Sequence, residues 1–368
     1  MLYIPMLKGR NYEIQLLEQL NNQFSEKIIP LIEIVNEHFR QTEFARDPVT
    51  GEFLKCQKGK RLQRYRIPPT ENDIDTLHFY NNLLNNKKGF IDFFRFSTDV
   101  YGRKLDISSV ELSQRMNQNE KLYIDHLLEV CQFDNLIPVL SLKKGFFLRQ
   151  YQLSSLIEEL QKNNHQIAIR LDDDAFEAYC NEVSESLREN DFLLFDIGEQ
   201  NPASKAIELR EFNNIVSRAH KGVVNSPRKR SVQNGHYENR KYTDLIDNSL
   251  KDVLQKDYKI AAYGDYCGLK DNLPVSSKGQ FGAALALFYH FANNKFFAYV
   301  NENTQEALAG YKKIIPQMIE DTDFLDPKKT CPAMREVESQ YIKMTSGNWG
   351  TWNKITVIRY INQINDNC

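Results

Sequence analysis

The segment QIAIRLDDDAFEAYCNEVSESLRENDFLLFDI (Gln166–Ile197) holds two short apolar runs, IAIRL and FLLF, with a helix-forming stretch between them. Each run is too short for a helix and apolar on both faces, as a strand buried in a parallel sheet must be. Between them Phe176, Tyr179, Val183 and Leu187 recur every three to four residues, the single stripe of a helix packed on such a sheet. Asp172–Asp174 put negative charge where the helix begins, which its dipole favours. The unit therefore reads strand, helix, strand. Both strands break off into ionisable residues, Arg170 and Asp172 in one and Asp196 in the other. That end of a parallel strand is where barrels and open sheets place their ligand sites.

The same ending recurs outward along the chain. IIPLIE stops at Glu33, FIDFFR at Arg95 and KIAAYGD at Asp265. With the further runs at 2–7, 136–142 and 222–226 there are eight strand candidates, and all but the last are followed by a helix-forming stretch. The count predicts a (β/α)8 TIM-like barrel over residues 1–270. An open doubly wound sheet is the alternative, since 222–226 is a weak strand and no Gly-rich turn follows the first one. The spacing predicts one long helix over 105–131 and another over 242–255. Residues 36–69 form an insertion in which DPVTGEF (47–53) reads as a hairpin tip. From about residue 271 the pattern changes. GAALALFYHF (282–291) and KFFAYVNE (295–302) read as a β-hairpin, and apolar stripes through Tyr311 and Trp352 as helices. Residues 271–368 are thus expected to form a hairpin-plus-helices cap packed on the barrel.

Of the 368 residues 41% are hydrophobic and 26% charged, ample for a core. The 47 Lys and Arg nearly cancel the 49 Asp and Glu, so bulk charge selects no partner. Six cysteines stand without a CxxC or other paired spacing, which favours free thiols over a disulfide or zinc framework. The opening MLYIPMLKGR lacks the apolar stretch of a signal peptide and no run approaches a membrane span, giving a cytoplasmic expectation with no membrane partner.

Alternation along strands sorts the charged ends by face. Lys8 shares a face with Ile4 and Met6, Glu33 with Leu31, Arg95 with Phe93, Arg170 and Asp172 with Ala168, Asp196 with Leu194, and Asp265 with Tyr263. A barrel pointing these faces inward would gather them at one mouth. Glu33, Asp196 and Asp265 are the candidate catalytic carboxylates, and a salt-bridged plug is the competing reading. No metal site is expected: no His joins these carboxylates at ligand spacing, and Arg95 and Arg170 compete for them, although a hard cation such as magnesium suits oxygen ligands. No GxSxG, GxxxxGK[ST] or GxGxxG occurs. Two basic runs carry interleaved aromatics, one with Lys58, Lys60, Arg61 and Arg64 and one with Arg228, Lys229 and Arg230. Basic loops of that kind suit nucleic acid.

The stretches YIPMLKGRNYE (3–13), IIPLIEIVN (28–36), AAYGDYCG (261–268), GAALALFYHF (282–291) and GNWGTW (347–352) resemble the beta-protein family of bacteriophages and of bacterial loci linked to phage defence. The resemblance runs from end to end as short anchors, and departs from commoner members in the 36–69 insertion and the basic 218–241 segment. It implies a barrel-like α/β fold, a neighbouring partner resembling a restriction-type nuclease, and no established chemistry. By motif match it singles out Lys8, Arg10, Glu13, Glu33, Asp265 and Tyr266.

Three functions follow as expectations. The first is a defence-associated recognition or regulatory protein that binds a phosphate-rich ligand, nucleic acid or nucleotide, at the mouth through Lys8, Arg10, Arg95 and Arg170, with Asp172 and Tyr266 beside them. The second is a phosphodiester or glycosidic hydrolase, metal-independent or using magnesium, that works through the mouth carboxylates. The third is a phage-side structural or inhibitory protein.

Overall fold

The computed structural model describes residues 1–40, 43–58, 61–102, 104–275 and 282–367. Eight parallel strands close a barrel: β1 (Leu2–Lys8), β2 (Leu31–Ile34), β3 (Gly89–Phe93), β4 (Leu136–Leu142), β5 (Ala168–Leu171), β6 (Phe192–Asp196), β7 (His220–Val224) and β8 (Ala262–Asp265). Each strand pairs with its neighbours in chain order, and β1 meets both β2, at Met6 and Leu31, and β8, at Leu2 and Ala262. That closure excludes the open sheet.

Helices Asn11–Gln19, Thr76–Leu84, Gln150–Asn163, Asp173–Ser186, Ala206–Asn214 and Leu250–Asp257 lie in the crossovers. The helix expected over 105–131 is broken into Glu111–Gln118 and Glu120–Glu129. Asn119 adopts an extended conformation there, and its side chain accepts from Leu122 N–H, starting the second helix anew. No helix begins at 242 either. Lys241–Thr243 is a strand paired antiparallel with Lys295–Asn301, and the helix starts at Leu250.

Lys295–Asn301 also pairs with Ala284–His290, which completes a three-stranded sheet outside the barrel. Helix Trp349–Asn365 packs on that sheet and beside the first barrel helix, so the outer ring gains from the C-terminal segment what the eighth crossover lacks. Its Tyr360 lies against Tyr3 of β1, with ring centroids 5.9 Å apart. The insertion after β2 forms a separate hairpin, Lys55–Lys58 with Arg61–Arg64. The 47–53 turn closes next to it, where Asp47 Oδ1 accepts from Val49 and Thr50 N–H and Gly51 takes φ +73°.

The barrel interior is filled by side chains, with small residues where strands crowd. Gly264 of β8 faces inward, and a Cβ there would stand 2.5 Å from the Ile4 carbonyl oxygen and 3.0 Å from Val224 Cγ1. Only glycine lets β1 and β8 approach this closely. No described helix is long and apolar enough to cross a membrane.

Candidate functional site

At the C-terminal ends of the strands the inward side chains change from apolar to charged within one layer. Lys8 Nζ lies 2.5 Å from Glu33 Oε2 and 2.8 Å from Asp271 Oδ1. Arg170 reaches Glu33 Oε1 at 2.8 Å and Asp92 Oδ2 at 2.9 Å through Nη1, and Asp196 Oδ2 at 2.6 Å through Nη2. Ser141 Oγ donates to Asp92 at 2.7 Å, and Tyr266 Oη donates to Glu33. Asp271 is held further by Tyr101 Oη at 2.7 Å and Arg230 Nη1 at 2.9 Å. Lys8, Glu33 and Asp92 are wholly buried. Charges this deep persist only when paired, and here the pairing is mutual and nearly complete.

Burial alone would raise the Glu33 carboxyl, but the Lys8 ammonium and Arg170 guanidinium outweigh it and hold it below its ordinary range. Asp271 behaves alike: burial opposes ionisation, while Lys8, Tyr101 and Arg230 pull the carboxyl far down. These groups are fixed anions. They plug the barrel beneath the mouth.

Above the plug opens a cleft of about 900 Å³. Its walls include the faces of Phe94, Phe96, Tyr101, Phe146 and Tyr266. Seven carboxylates line it (Asp99, Asp172, Asp173, Asp174, Asp196, Glu199 and Asp271) against five cations (Arg95, Lys143, Lys144, Arg170 and Arg230). Most of those cations are occupied. Arg170 and Arg230 hold carboxylates, Lys144 lies 3.6 Å from Asp174, and Arg95 donates to the Ser141 carbonyl while stacking 3.7 Å over Tyr123. Asp172 caps helix Asp173–Ser186 by accepting from Ala175 N–H, and accepts from Lys144 N–H at 2.8 Å. Burial raises its carboxyl; the two N–H bonds oppose this, and the charges of Asp196 and Asp174 reinforce it. Asp196 takes both Nε and Nη2 of Arg170 on Oδ2, and Gly198 N–H on Oδ1.

Alternation placed Lys8, Glu33, Arg170 and Asp196 on the inward face, where they are found. It misplaced two strand ends. In β3 the inward residues are Phe90 and Asp92, so Phe93 turns outward to His126, and Arg95, beyond the strand, lies over Tyr123. In β8 the inward positions are Ala262 and Gly264, and Tyr266 follows in phase. Asp265 therefore points away from the mouth into the outer layer, accepting from Tyr3 Oη at 3.0 Å, Tyr360 Oη at 2.8 Å and Cys267 N–H at 2.7 Å. Burial raises its carboxyl, and those three donors oppose the shift. Asp265 ties the barrel to the C-terminal helix and does not meet Glu33.

Arg10 forks onto Glu13 at 2.5 and 2.6 Å and reaches Asn272, away from the cleft walls. The second basic run is largely spent internally. Arg228 is buried, bonded to the Gly268 carbonyl and Asn234, and Arg230 holds Glu199 and Asp271, which leaves Lys229 exposed. In the first run Arg61 and Arg64 are exposed, with Arg64 4.2 Å over Phe53. Lys58 pairs with Arg61 through the backbone, and Lys60 lies outside the described residues. Among the described residues no group of three or more His, Cys, Asp or Glu is arranged to hold a metal ion. The plug carboxylates face ammonium and guanidinium groups instead. Asp92, Asp271 and Lys143 were missed by sequence reasoning; of these only Asp92, a charge inside an apolar run, carried a visible signal.

The family model described as Beta protein matches residues 3–365. No curated protein matches the chain. Among solved structures, the complex of a GH113 beta-1,4-mannanase aligns over 72% of this chain and 86% of that one at 8% identity and a TM-score of 0.35, too loose a likeness to carry argument.

Proposed function

We propose that this chain, which belongs to the Beta protein family, is a hydrolase whose barrel mouth takes an uncharged, hydroxyl-rich substrate of the glycosidic class. The observation that carries the reading is the charge of the cleft: carboxylates outnumber cations, and most of the cations are already paired. A polyanion entering it would meet acidic walls without enough free Arg or Lys to neutralise it. A neutral polyol meets aromatic faces and a ring of acceptors.

Asp172 and Asp196 supply the acid–base pair. Asp172, raised by burial, keeps a proton to higher pH and donates it to the leaving oxygen; Asp196, held by Nε and Nη2 of Arg170, is the partner that assists attack. Glu33 and Asp265 take no part, one being locked in the plug and the other turned to the outer layer. Reducing-end release from a panel of neutral oligosaccharides tests the reading. Parent protein should turn over at least one member, and Asp172→Asn and Asp196→Asn should each lower that rate by about 10²–10⁴ while circular dichroism shows both still folded at the assay temperature. A panel left intact by the parent, or variants as active as the parent, refutes it.

A second reading, recognition of a nucleic acid in defence alongside a nuclease-like partner, is favoured by the exposed basic strand Arg61–Arg64, paired with Lys55–Lys58, and by Arg46 and Arg64 stacked on Phe53. On that reading the polyanion docks on the hairpin, apart from the mouth.

A further inference from the structure

Lys143 stands out among the mouth's cations. It is the first residue after β4, and a tight turn in which its carbonyl accepts from Phe146 N–H at 2.8 Å fixes its backbone. Its side chain lines the cleft with Nζ 4.2 Å above the Phe94 ring, and no described acceptor or carboxylate engages that nitrogen. A lysine kept to hold the fold together would be paired, as Lys8 is a few ångströms below it. Here the apolar wall and the neighbouring guanidinium groups leave an amine that is oriented, partly desolvated and open to a ligand.

We infer that Lys143 is a nucleophilic amine that forms a reversible imine with the carbonyl carbon of a polyhydroxy aldehyde or ketone held in the cleft. The step balances without a further reactant. The Nζ lone pair forms the C–N bond as the C=O π bond opens and the oxygen takes one proton from the amine; the resulting carbinolamine then loses that oxygen as water while the nitrogen lone pair closes the C=N bond. The second proton comes from the amine itself, relayed through solvent or through Asp172, whose carboxylate is anchored on the adjacent Lys144 N–H. Burial lowers the Lys143 ammonium to about 8; Arg170 and Arg95 push the same way, and Asp92 and Glu33 oppose them. At pH 7.4 about one-fifth of such an amine is neutral, against about one in a thousand for an ordinary lysine. The inference goes beyond glycoside hydrolysis: it needs the open cleft and Lys143, and neither Asp172 nor Asp196 as a hydrolytic pair.

The test uses the full chain, glycolaldehyde as probe and cyanoborohydride to trap the imine, with the modified lysines read by peptide mass mapping. Lys143 should label at least about 10-fold faster than the exposed Lys144 and Lys229 at pH 7.4, with a midpoint near pH 8 in its rate profile. Lys143→Arg should remove that fast site and no other. Asp196→Asn, which bears on hydrolysis, should leave it in place, so failure of one idea is distinct from failure of the other. Labelling of Lys143 no faster than Lys144, or a midpoint near 10, overturns the inference.

Discussion

Replacing Glu33 by Gln removes one charge from the centre of the barrel plug. Lys8 keeps Asp271 at 2.8 Å, and Arg170 keeps Asp92 at 2.9 Å and Asp196 at 2.6 Å, so neither cation is orphaned outright. Yet Gln presents an amide N–H toward one of two cations in a site buried away from bulk solvent. Breaking a buried ion pair by removing one partner costs about 3–5 kcal/mol, and the remaining partners place this case near about 3 kcal/mol. For a chain of 368 residues that is on the order of 4 °C in melting temperature. Urea and thermal unfolding followed by circular dichroism measure it. The double replacement Lys8→Met with Glu33→Leu should recover part of the loss, because it removes a charge pair instead of leaving one charge behind. If Glu33→Gln melts within about 1 kcal/mol of the parent and abolishes turnover, the plug is not structural and Glu33 belongs to the chemistry after all.

The depressed carboxyls of Glu33 and Asp271 lie below their unfolded values, so their stabilisation is whole above about pH 5 and is lost as pH falls below about 4; an acid titration of the melting temperature should show that loss, and Glu33→Gln should flatten it. Lys143→Met should raise stability at pH 7 by about 1–2 kcal/mol, since a lysine lowered to about 8 costs stability while protonated, and the gain should shrink as pH rises toward 10. Gly264→Ala should cost about 2–3 kcal/mol in chemical unfolding because its Cβ meets the Ile4 carbonyl. Reversing Arg61 and Arg64 to Glu should weaken any DNA binding and lower its salt slope without changing turnover at the mouth; unchanged DNA binding would mean that the hairpin is not the DNA-binding surface.

The barrel was legible because parallel strands buried on both faces leave short unbroken apolar runs, and eight of these with helices between them admit few topologies. The same property hid the faces of β3 and β8. In FIDFF both neighbours of Asp92 are apolar, so no polar alternation phases the strand, and in AAYGD the inward residue is a glycine with no side chain to declare it. A slip of one residue reverses the faces of both strand ends: Asp265 leaves the mouth for the outer layer, while Arg95 lines the cleft from beyond β3. Tyr266, which the family anchors single out, is in phase with the inward positions of β8 and bonds Glu33. The 228–230 run looked like a free basic patch because its partners Asn234, Gly268, Glu199 and Asp271 are not its sequence neighbours in any regular spacing. Lys143 left no trace in the sequence: the absence of a partner is a property of the folded cleft alone.

Amide hydrogen exchange of the whole chain, recorded separately with a mixture of neutral oligosaccharides and with a short DNA duplex, tests most directly which ligand the mouth accepts. The oligosaccharides should protect the loops after β3, β4 and β6, at 94–101, 143–146 and 197–200, and DNA should protect only the hairpin segments at 55–58 and 61–66. Protection of the mouth loops by DNA, with none from any oligosaccharide, would contradict both expectations.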